Sequence, residues 1–379
     1  VKELKIITIP FTGLKRQYAT IRDEILDATD RALKAGEHRD GEFTAKFEQW
    51  LETKNKTKYA VTCHSGTNAL EAMAAYYITL VKENHPCALL PAVTYIATVN
   101  AFLRAGWKVR LCDCDEYGVI DWNKLEEAAH FHLVAVVGLF GVGVRDTAKH
   151  SWPHKFNPNV TIPPNWFPPT IVIEDAAQHW LADDCERYRS SALSFDPLKN
   201  FASYGNGGAV VTNDLDLANF VRSWRNNGKP DHLFEGSNAR MSESECAQML
   251  VKAQYIDEWQ KRRKAIARYW IDRFNDAGIR TLIDDSNIEG HGLQKFIVDI
   301  DNRDKVYKEL NAGNIEVKIH YEKPLHEMGV FQKKCYPPKG TTAKILCQRH
   351  MGLPFYPELT DLETEYVADR VIECVHANK

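Results

Sequence analysis

From residue 59 to about 139, short apolar runs alternate with amphipathic stretches, and this alternation restricts the fold more than any other feature of the sequence. "YAVTCHS" reads as a strand and "TNALEAMAAYYITL" as a helix. "CALLPAV" is a second strand, followed by "TYIATVNAFLRAG", a helix closed by Gly106. "KVRLCDC" is a strand, "DWNKLEEAA" a helix and "LVAVVGLFG" a strand. Short apolar runs separated by helices indicate an α/β fold whose mostly parallel sheet is covered by helices on both faces.

Beyond this block the pattern changes. Proline, asparagine and tryptophan crowd residues 143–169, which read as a long irregular excursion. Three strands then follow closely, "TIVIEDA", "SALSFD" and "GGAVVTND". From 242 to about 277 the pattern is helical and long, and Ser242 and Glu245 have the spacing of a capping box. After it come the strand "KFIVDID", the helix "DKVYKELNAG", the strand "EVKIHY" and a closing helix, "LTDLETEYVADRVIECV". This second part reads as a smaller α+β unit. A chain of 379 residues suits two domains, here 1–242 and 243–379.

Composition excludes several function classes. The chain is 44% hydrophobic and 26% charged, an ordinary globular balance, and its formal charge of −3 gives no electrostatic case for nucleic acid as the main partner. The longest mostly apolar run, "LVAVVGLFGVGV", is too short to span a bilayer, so no membrane partner is expected. The opening "VKELKIITIP" lacks the apolar segment and cleavage site of a signal peptide. The nine cysteines are scattered without a C-x-x-C pair, and "CDC" at Cys112 and Cys114 supplies too few ligands for zinc. No metal site is expected, and the free thiols suit a cytoplasmic location.

Three stretches carry chemistry. Asp175, in "IEDAAQ", ends an apolar strand, where open α/β sheets bind ligands. It is either an N-cap for the following turn or the partner of a protonated ring nitrogen. In "CHSGTNAL" a strand runs into a helix, so the helix's free N–H groups would hold a phosphate, with Gly66 allowing close approach and Thr67 adding a hydroxyl. The alternative is a plain strand-to-helix turn. "YGNGG" resembles a phosphate loop but precedes a strand, which rejects a nicotinamide dinucleotide site and leaves a tight turn. Lys199, in "SFDPLKN", follows the strand that ends in Ser194. A lysine near a bound aldehyde forms a Schiff base once desolvated. Phosphate cradle, strand-end acid and later lysine together are what pyridoxal phosphate requires.

With these motifs in hand the chain resembles the DegT/DnrJ/EryC1/StrS family of pyridoxal-phosphate sugar aminotransferases. "IPFTGLKRQYATIRDEILDATDRAL", "YAVTCHSGTNAL", "TYIATVNAFLRAGWKVRLCDCD", "IEDAAQ", "SFDPLKN", "GNGGAVVTND", "GSNARMSE", "IEVKIHY" and "MGLPFYPELTD" follow in that family's order. The resemblance implies a fold-type-I architecture with a seven-stranded sheet in the large domain. It also implies a homodimer with active sites at the subunit interface. Lys199 matches the Schiff-base lysine and Asp175 the acid under the pyridine nitrogen. Gln178 matches the amide near the ring's phenolic oxygen, and Tyr95 the aromatic stacked on the ring. Gly66, Thr67 and Ser194 match phosphate ligands, and Asn238 an asparagine reaching the phosphate from the partner subunit. His320 and Tyr321 resemble the family's "HY" near the sugar pocket. Arg240 is either a carboxylate binder or a structural ion-pair partner.

The implied reaction moves an amino group from glutamate to a 3-keto or 4-keto sugar carried on dTDP, UDP or GDP. The cofactor would cycle between its pyridoxal and pyridoxamine forms. Lysine at 199, where some superfamily dehydratases carry histidine, favours transamination. The rival expectations are a cyclitol-ketone aminotransferase and a catalytically silent regulatory or scaffold homologue. Departures from the family's wording fall at "GEHRDGEF", at the excursion after Gly143, between Gln178 and Ser194, and at Asn206. Such loops often shape a substrate pocket.

Overall fold

The structure is a computed structural model that describes residues 8–121, 131–143, 171–182 and 190–378. The expected helix "DWNKLEEAA" and the excursion after Gly143 lie, but for their first residues, outside the described residues. Seven strands arise between 59 and 212: β1 (Tyr59–Cys63), β2 (Cys87–Pro91), β3 (Lys108–Cys112), β4 (Leu133–Val137), β5 (Ile171–Asp175), β6 (Ser190–Ser194) and β7 (Gly208–Thr212). Four short ones follow, β8 (Arg280–Thr281), β9 (Phe296–Asp299), β10 (Cys335–Tyr336) and β11 (His350–Leu353).

The main sheet runs β1-β7-β6-β5-β4-β2-β3-β10. Only β7 opposes its neighbours; the other pairings are parallel. The sheet therefore has eight strands where the family resemblance implies seven. The extra one is β10, whose two residues pair with Val109 and Arg110 of β3. A strand of two residues carries no periodicity for a sequence reading to detect. The second sheet is antiparallel, β11-β9-β8.

Helices α1 (Leu14–Lys34), α2 (Glu42–Asn55), α3 (Gly66–Leu80), α4 (Ile96–Arg104) and α5 (Leu215–Trp224) belong with the main sheet. The long helical pattern after Ser242 is two helices, α6 (Glu243–Ala253) and α7 (Ile256–Asp276), broken at Gln254 and Tyr255. The break lets the two halves serve different neighbours. α6 packs on α1 and α2, whereas α7 packs on β8 and the closing helix. The capping box at Ser242 and Glu245 is formed. Helices α8 (Arg303–Ala312), α9 (Thr342–Arg349) and α10 (Asp361–Ala377) complete the chain. "EVKIHY" is not a regular strand; the segment around it makes only isolated bridges, Ile315 to Ile9 and Lys318 to Gly352. No helix among the described residues is long and apolar enough to cross a membrane.

Each sheet has its own apolar core. One centres on β1, β2, β4 and the alanine-rich inner face of α3, with Ala69, Ala72, Met73 and Ala74 fully buried. The other gathers Trp270, Phe274, Phe296, Met351 and Val371 around the small sheet. A third cluster, Phe47, Trp180, Phe195 and Phe201, lies under the lysine-bearing loop.

The sheet's directions place the chemistry. β1, β5 and β6 all end at one edge, and the antiparallel β7 begins there. Gly208, its first residue, is paired with both Cys63 and Ser194. A Cβ on Gly208 would stand 2.4 Å from the Gly66 amide nitrogen, so only glycine lets β7 pass beneath the start of α3. The "GNGG" turn thus serves close packing at the sheet's working edge. Gly208→Ala is expected to cost about 1–3 kcal/mol through overpacking. Chemical denaturation checks it, and an unchanged unfolding midpoint would show that the contact yields freely.

Candidate active site

Two buried phenylalanines, Phe195 and Phe201, pin the loop that carries Lys199. Their rings meet edge to face at 6.0 Å. Between them the backbone is fixed locally: the Asp196 carboxylate accepts from the Leu198 amide at 2.9 Å, and the Lys199 amide donates to the Asp196 carbonyl at 2.8 Å. Other elements hold the same loop. Gln294 Nε2 donates to the Leu198 carbonyl at 2.8 Å, Asn200 Nδ2 to the Gly292 carbonyl at 2.7 Å, and Lys252 Nζ to the Ala202 carbonyl at 2.6 Å. Lys199 itself is half-buried. Desolvation lowers the pKa of its amine, while Asp175 and then Asp196 pull it back up. A lowered pKa is what an amine needs to act as nucleophile and base.

Asp175 closes β5 and is 5% exposed. Burial raises its pKa; the Thr98 hydroxyl, the Ala177 amide and the Lys199 charge oppose that shift. Thr98 Oγ1 donates to Asp175 Oδ2 at 2.7 Å, and the Ala177 amide donates to Oδ1 at 3.2 Å. The alternative N-cap reading is therefore met only locally, by the bond from Ala177. A carboxylate so held, with no arginine bound to it among the described residues, is placed to gain its charge beside a protonated ring nitrogen.

The turn after Asp175 presents Gln178. Glu174 anchors that turn from below, accepting from Ser191 Oγ at 2.7 Å and lying 3.2 Å from His179 Nδ1. Gln178 Oε1 accepts from the Phe140 amide at 2.8 Å, and Nε2 donates to Tyr321 Oη at 3.4 Å. Tyr321 stacks on Phe140 at 6.3 Å. Burial raises its phenol pKa, the Gln178 bond lowers it, and the charges of Asp175 and Tyr95 raise it again. Tyr95 stands just before α4 and is 55% exposed.

The phosphate cradle is equally local. Ser65 caps α3 by accepting from the Asn68 amide at 3.1 Å. Gly66 and Thr67 then open the helix beside Ser194; a Cβ on Gly66 would lie 2.7 Å from Ser194 Cβ and 3.0 Å from its Oγ. A cradle this close to a helix N-terminus suits a phosphate.

The remaining candidates divide. His320 stacks on Phe11 at 5.8 Å, and burial, followed by the charges of Lys295, Lys199 and Lys318, drives its pKa down to about 2. It is a neutral imidazole beside the lysines. Arg240 donates to Asp40 Oδ2 at 3.0 Å, and Arg225 holds the other oxygen at 3.0 Å. That is the structural ion-pair reading of Arg240. Asn238 is exposed and forms an isolated bridge with Asn226.

The site also contains residues that the sequence reading passed over. Thr98, three positions after Tyr95 on α4, orients Asp175. Lys295, just before β9, is 6% exposed, and desolvation with the neighbouring Lys199 charge lowers its pKa to about 7. A charged residue at the head of the apolar run "FIV" was the available signal.

An α/β chain with a desolvated lysine, a strand-end acid and a glycine-lined helix start at one sheet edge defines a pyridoxal-phosphate transferase, and these residues fit that cofactor. The sequence profile of the DegT/DnrJ/EryC1/StrS aminotransferase family matches residues 19–144 and 170–372, and the chain belongs to that family. It is 29% identical to the UDP-2-acetamido-2-deoxy-3-oxo-D-glucuronate aminotransferase of Pseudomonas aeruginosa, over 93% of this chain and 96% of that protein. It is also 29% identical to the dTDP-3-amino-3,6-dideoxy-alpha-D-galactopyranose transaminase of Aneurinibacillus thermoaerophilus, over 96% of this chain and 98% of that protein. Among solved structures, S. venezuelae DesV in complex with a ketimine intermediate superposes with a TM-score of 0.84. The sequences are 27% identical there, over 97% of this chain and 98% of that one.

Lys295 gives a prediction with a definite sign. Its folded-state pKa of about 7 lies below the ordinary 10.5, so between those values the unfolded chain binds more protons and stability rises with pH. Lys295→Met is expected to be the more stable protein, by on the order of a few kcal/mol below about pH 7. The difference should shrink to nothing as the pH approaches 10.5. Unfolding midpoints across that range check it; a Met variant less stable than the parent in mild acid contradicts it.

Proposed function

We propose that this aminotransferase takes its amino group from glutamate and delivers it to a keto group on a nucleotide-linked sugar, in two half-reactions of a ping-pong cycle. The observation that carries the reading is the convergence of Lys199, Asp175 and the Gly66–Ser194 cradle at one edge of the sheet. Pyridoxal phosphate, when bound, supplies an aldehyde that condenses with amines and a ring that accepts the electrons left on the donor's α-carbon.

The protein's own groups do the rest. Lys199 Nζ, partly desolvated, holds the aldehyde between turnovers and, once displaced, takes the proton from the donor's α-carbon. Asp175, oriented by Thr98 and Ala177, keeps a proton on the ring nitrogen. Gly66, Thr67 and Ser194 bind the phosphate. Tyr95 would cover the ring, and Gln178 would lie near its phenolic oxygen. His320 and Tyr321 border the sugar pocket, where the neutral imidazole offers a hydrogen bond without adding charge. Arg240, engaged by Asp40, is left out of substrate binding.

The reading extends to the assembly. Two chains would form a homodimer in which Asn238 reaches the phosphate of the other subunit; its exposure on the single chain supports this. Within the chain we divide a large cofactor-binding unit, 1–242, from a small one, 243–379, on the family reading and the second sheet, with α6 and β10 of the small unit packed on the large one. A cytoplasmic setting, in the synthesis of amino sugars for surface polysaccharides, follows from the same family reading. The relatives named above act on UDP-linked and dTDP-linked sugars, which supports a nucleotide sugar over a free cyclitol ketone.

The visible spectrum of the purified protein with pyridoxal phosphate tests this. A lysine-linked absorption band is expected, lost on adding glutamate and restored by the right keto-sugar nucleotide. Restoration by a free inosose instead would move the cyclitol reading ahead, and a protein that stays colourless would mean the fold serves a non-catalytic role. Lys199→Ala should fold normally and lose turnover by about 10³-fold or more. Near-normal turnover in that variant would sink the assignment.

A further inference from the structure

Beside Lys199 sits a second lysine that amino transfer does not itself require. The Lys295 amide donates to the Phe140 carbonyl at 3.1 Å, and the preceding Gln294 binds the Leu198 carbonyl, so the start of β9 is laced to the lysine loop. Lys295 and Lys199 line one cavity with Phe11, Gln17, Arg263 and Glu358. The Lys295 ammonium lies 5.8 Å from the centre of the Phe11 ring.

The acids around it bond other groups, and Glu358 keeps one buried oxygen without a hydrogen-bond partner. Glu358 accepts from Gln17 Nε2 at 3.0 Å. Glu316 accepts from the Phe11 amide at 2.9 Å and pairs with Lys318 at 2.7 Å. Asp196 caps its own turn through the Leu198 amide, and its charge only partly offsets the burial of the Lys295 amine. Among the described residues Lys295 has no ion pair and no side-chain hydrogen bond. Arg263 adds positive charge to the same cavity, but its terminal nitrogens are committed to Gln260 at 3.3 Å and the Asn200 carbonyl at 3.2 Å. Lys295 is thus a buried cation at the reacting centre whose ammonium is held by no carboxylate among the described residues. Holding a buried ammonium is costly in the empty site, which is why its pKa falls to about 7, and an arriving anion offsets that cost.

We propose that Lys295 is a specificity-determining residue that binds a carboxylate of the reacting partner, either that of the amino donor or that of an acidic sugar on the acceptor. The inference rests on the aminotransferase reading of this site. Lys295 selects acidic partners over neutral ones. The Phe11 ring covers the ammonium on one side, where it limits water, so the bond to a carboxylate is stronger than its surface equivalent.

The test uses the full chain and its Lys295→Met and Lys295→Arg variants. The first readout is calorimetric titration of the protein without added cofactor. Glutarate stands in for the donor, and UDP-glucuronate against UDP-glucose stands in for an acidic or neutral acceptor. Lys295→Met is expected to weaken glutarate or UDP-glucuronate by about tenfold to a hundredfold. UDP-glucose should be unaffected, and Lys295→Arg should retain most of the binding. An effect on glutarate assigns the carboxylate to the donor; an effect on UDP-glucuronate assigns it to the acceptor. Unchanged affinities in both arms, or equal losses for UDP-glucose, overturn the proposal. The second readout is the glutamate half-reaction of the cofactor-loaded enzyme, where a donor role raises KM more than it lowers kcat. A parent protein that forms no lysine-linked band overturns the aminotransferase reading, whereas a normal band with indifferent variants overturns only the role of Lys295.

Discussion

The site depends on one packing contact, the burial of Phe195 against Phe201 on either side of the lysine loop. Fully burying two such rings contributes about 3–6 kcal/mol. Ordering the backbone of the residues between them costs about 5–10 kcal/mol. The rings alone therefore do not hold the loop. The bonds from Gln294, Asn200 and Lys252 supply the difference, and all three involve residues outside the main sheet or partners beyond it. That is why the second sheet matters to the chemistry. The residues leading into β9 reach the loop at Leu198, next to Lys199.

Once the loop is fixed, burial and charge compete at each titratable group. Desolvation pushes the Lys199 amine toward neutrality and the Asp175 carboxyl toward its protonated form, while each stabilises the other's charge. The balance leaves both groups responsive to what binds between them. A protonated ring nitrogen would favour ionised Asp175. The Thr98 hydroxyl opposes the effect of burial on the acid, although burial remains the larger cause and its pKa stays raised.

Much of this was legible in the sequence, for reasons that can be traced to particular residues. The strands β1 to β4 are apolar runs separated by helical patterns, and β5 to β7 are apolar runs close together in sequence, both of which local chemistry writes plainly. Asp175, Ser194 and Lys199 follow strand ends, so their common edge could be read before any coordinates. Gly66 and Thr67 open a helix whose cap, Ser65, is itself a sequence signal. Residues whose function depends on register were not legible. Thr98 acts only because α4 turns its hydroxyl toward β5, and Gly208 only because β7 runs opposite to its neighbours. β10 was too short to show a period, and the break between α6 and α7 lies inside an unbroken helical pattern. Lys295 comes close to Lys199 across a sequence separation that no local pattern spans.

The placement of charge in this chain favours recognition at contact over attraction from a distance. The protein carries a net charge of −3, so its far field does nothing to draw in an anionic nucleotide sugar. The positive charge is instead local. Lys199, Lys295 and Arg263 share one cavity, and burial depresses the pKa of all three. A screened surface lysine has little to gain from an anion, because water already solvates it. A desolvated one gains most when its partner displaces the remaining water and supplies the missing charge. Screening acts weakly on such a contact, so binding set this way should depend less on salt than steering would. Stability given up in the empty site thus reappears as selectivity for a ligand that brings its own negative charge to the reacting carbon.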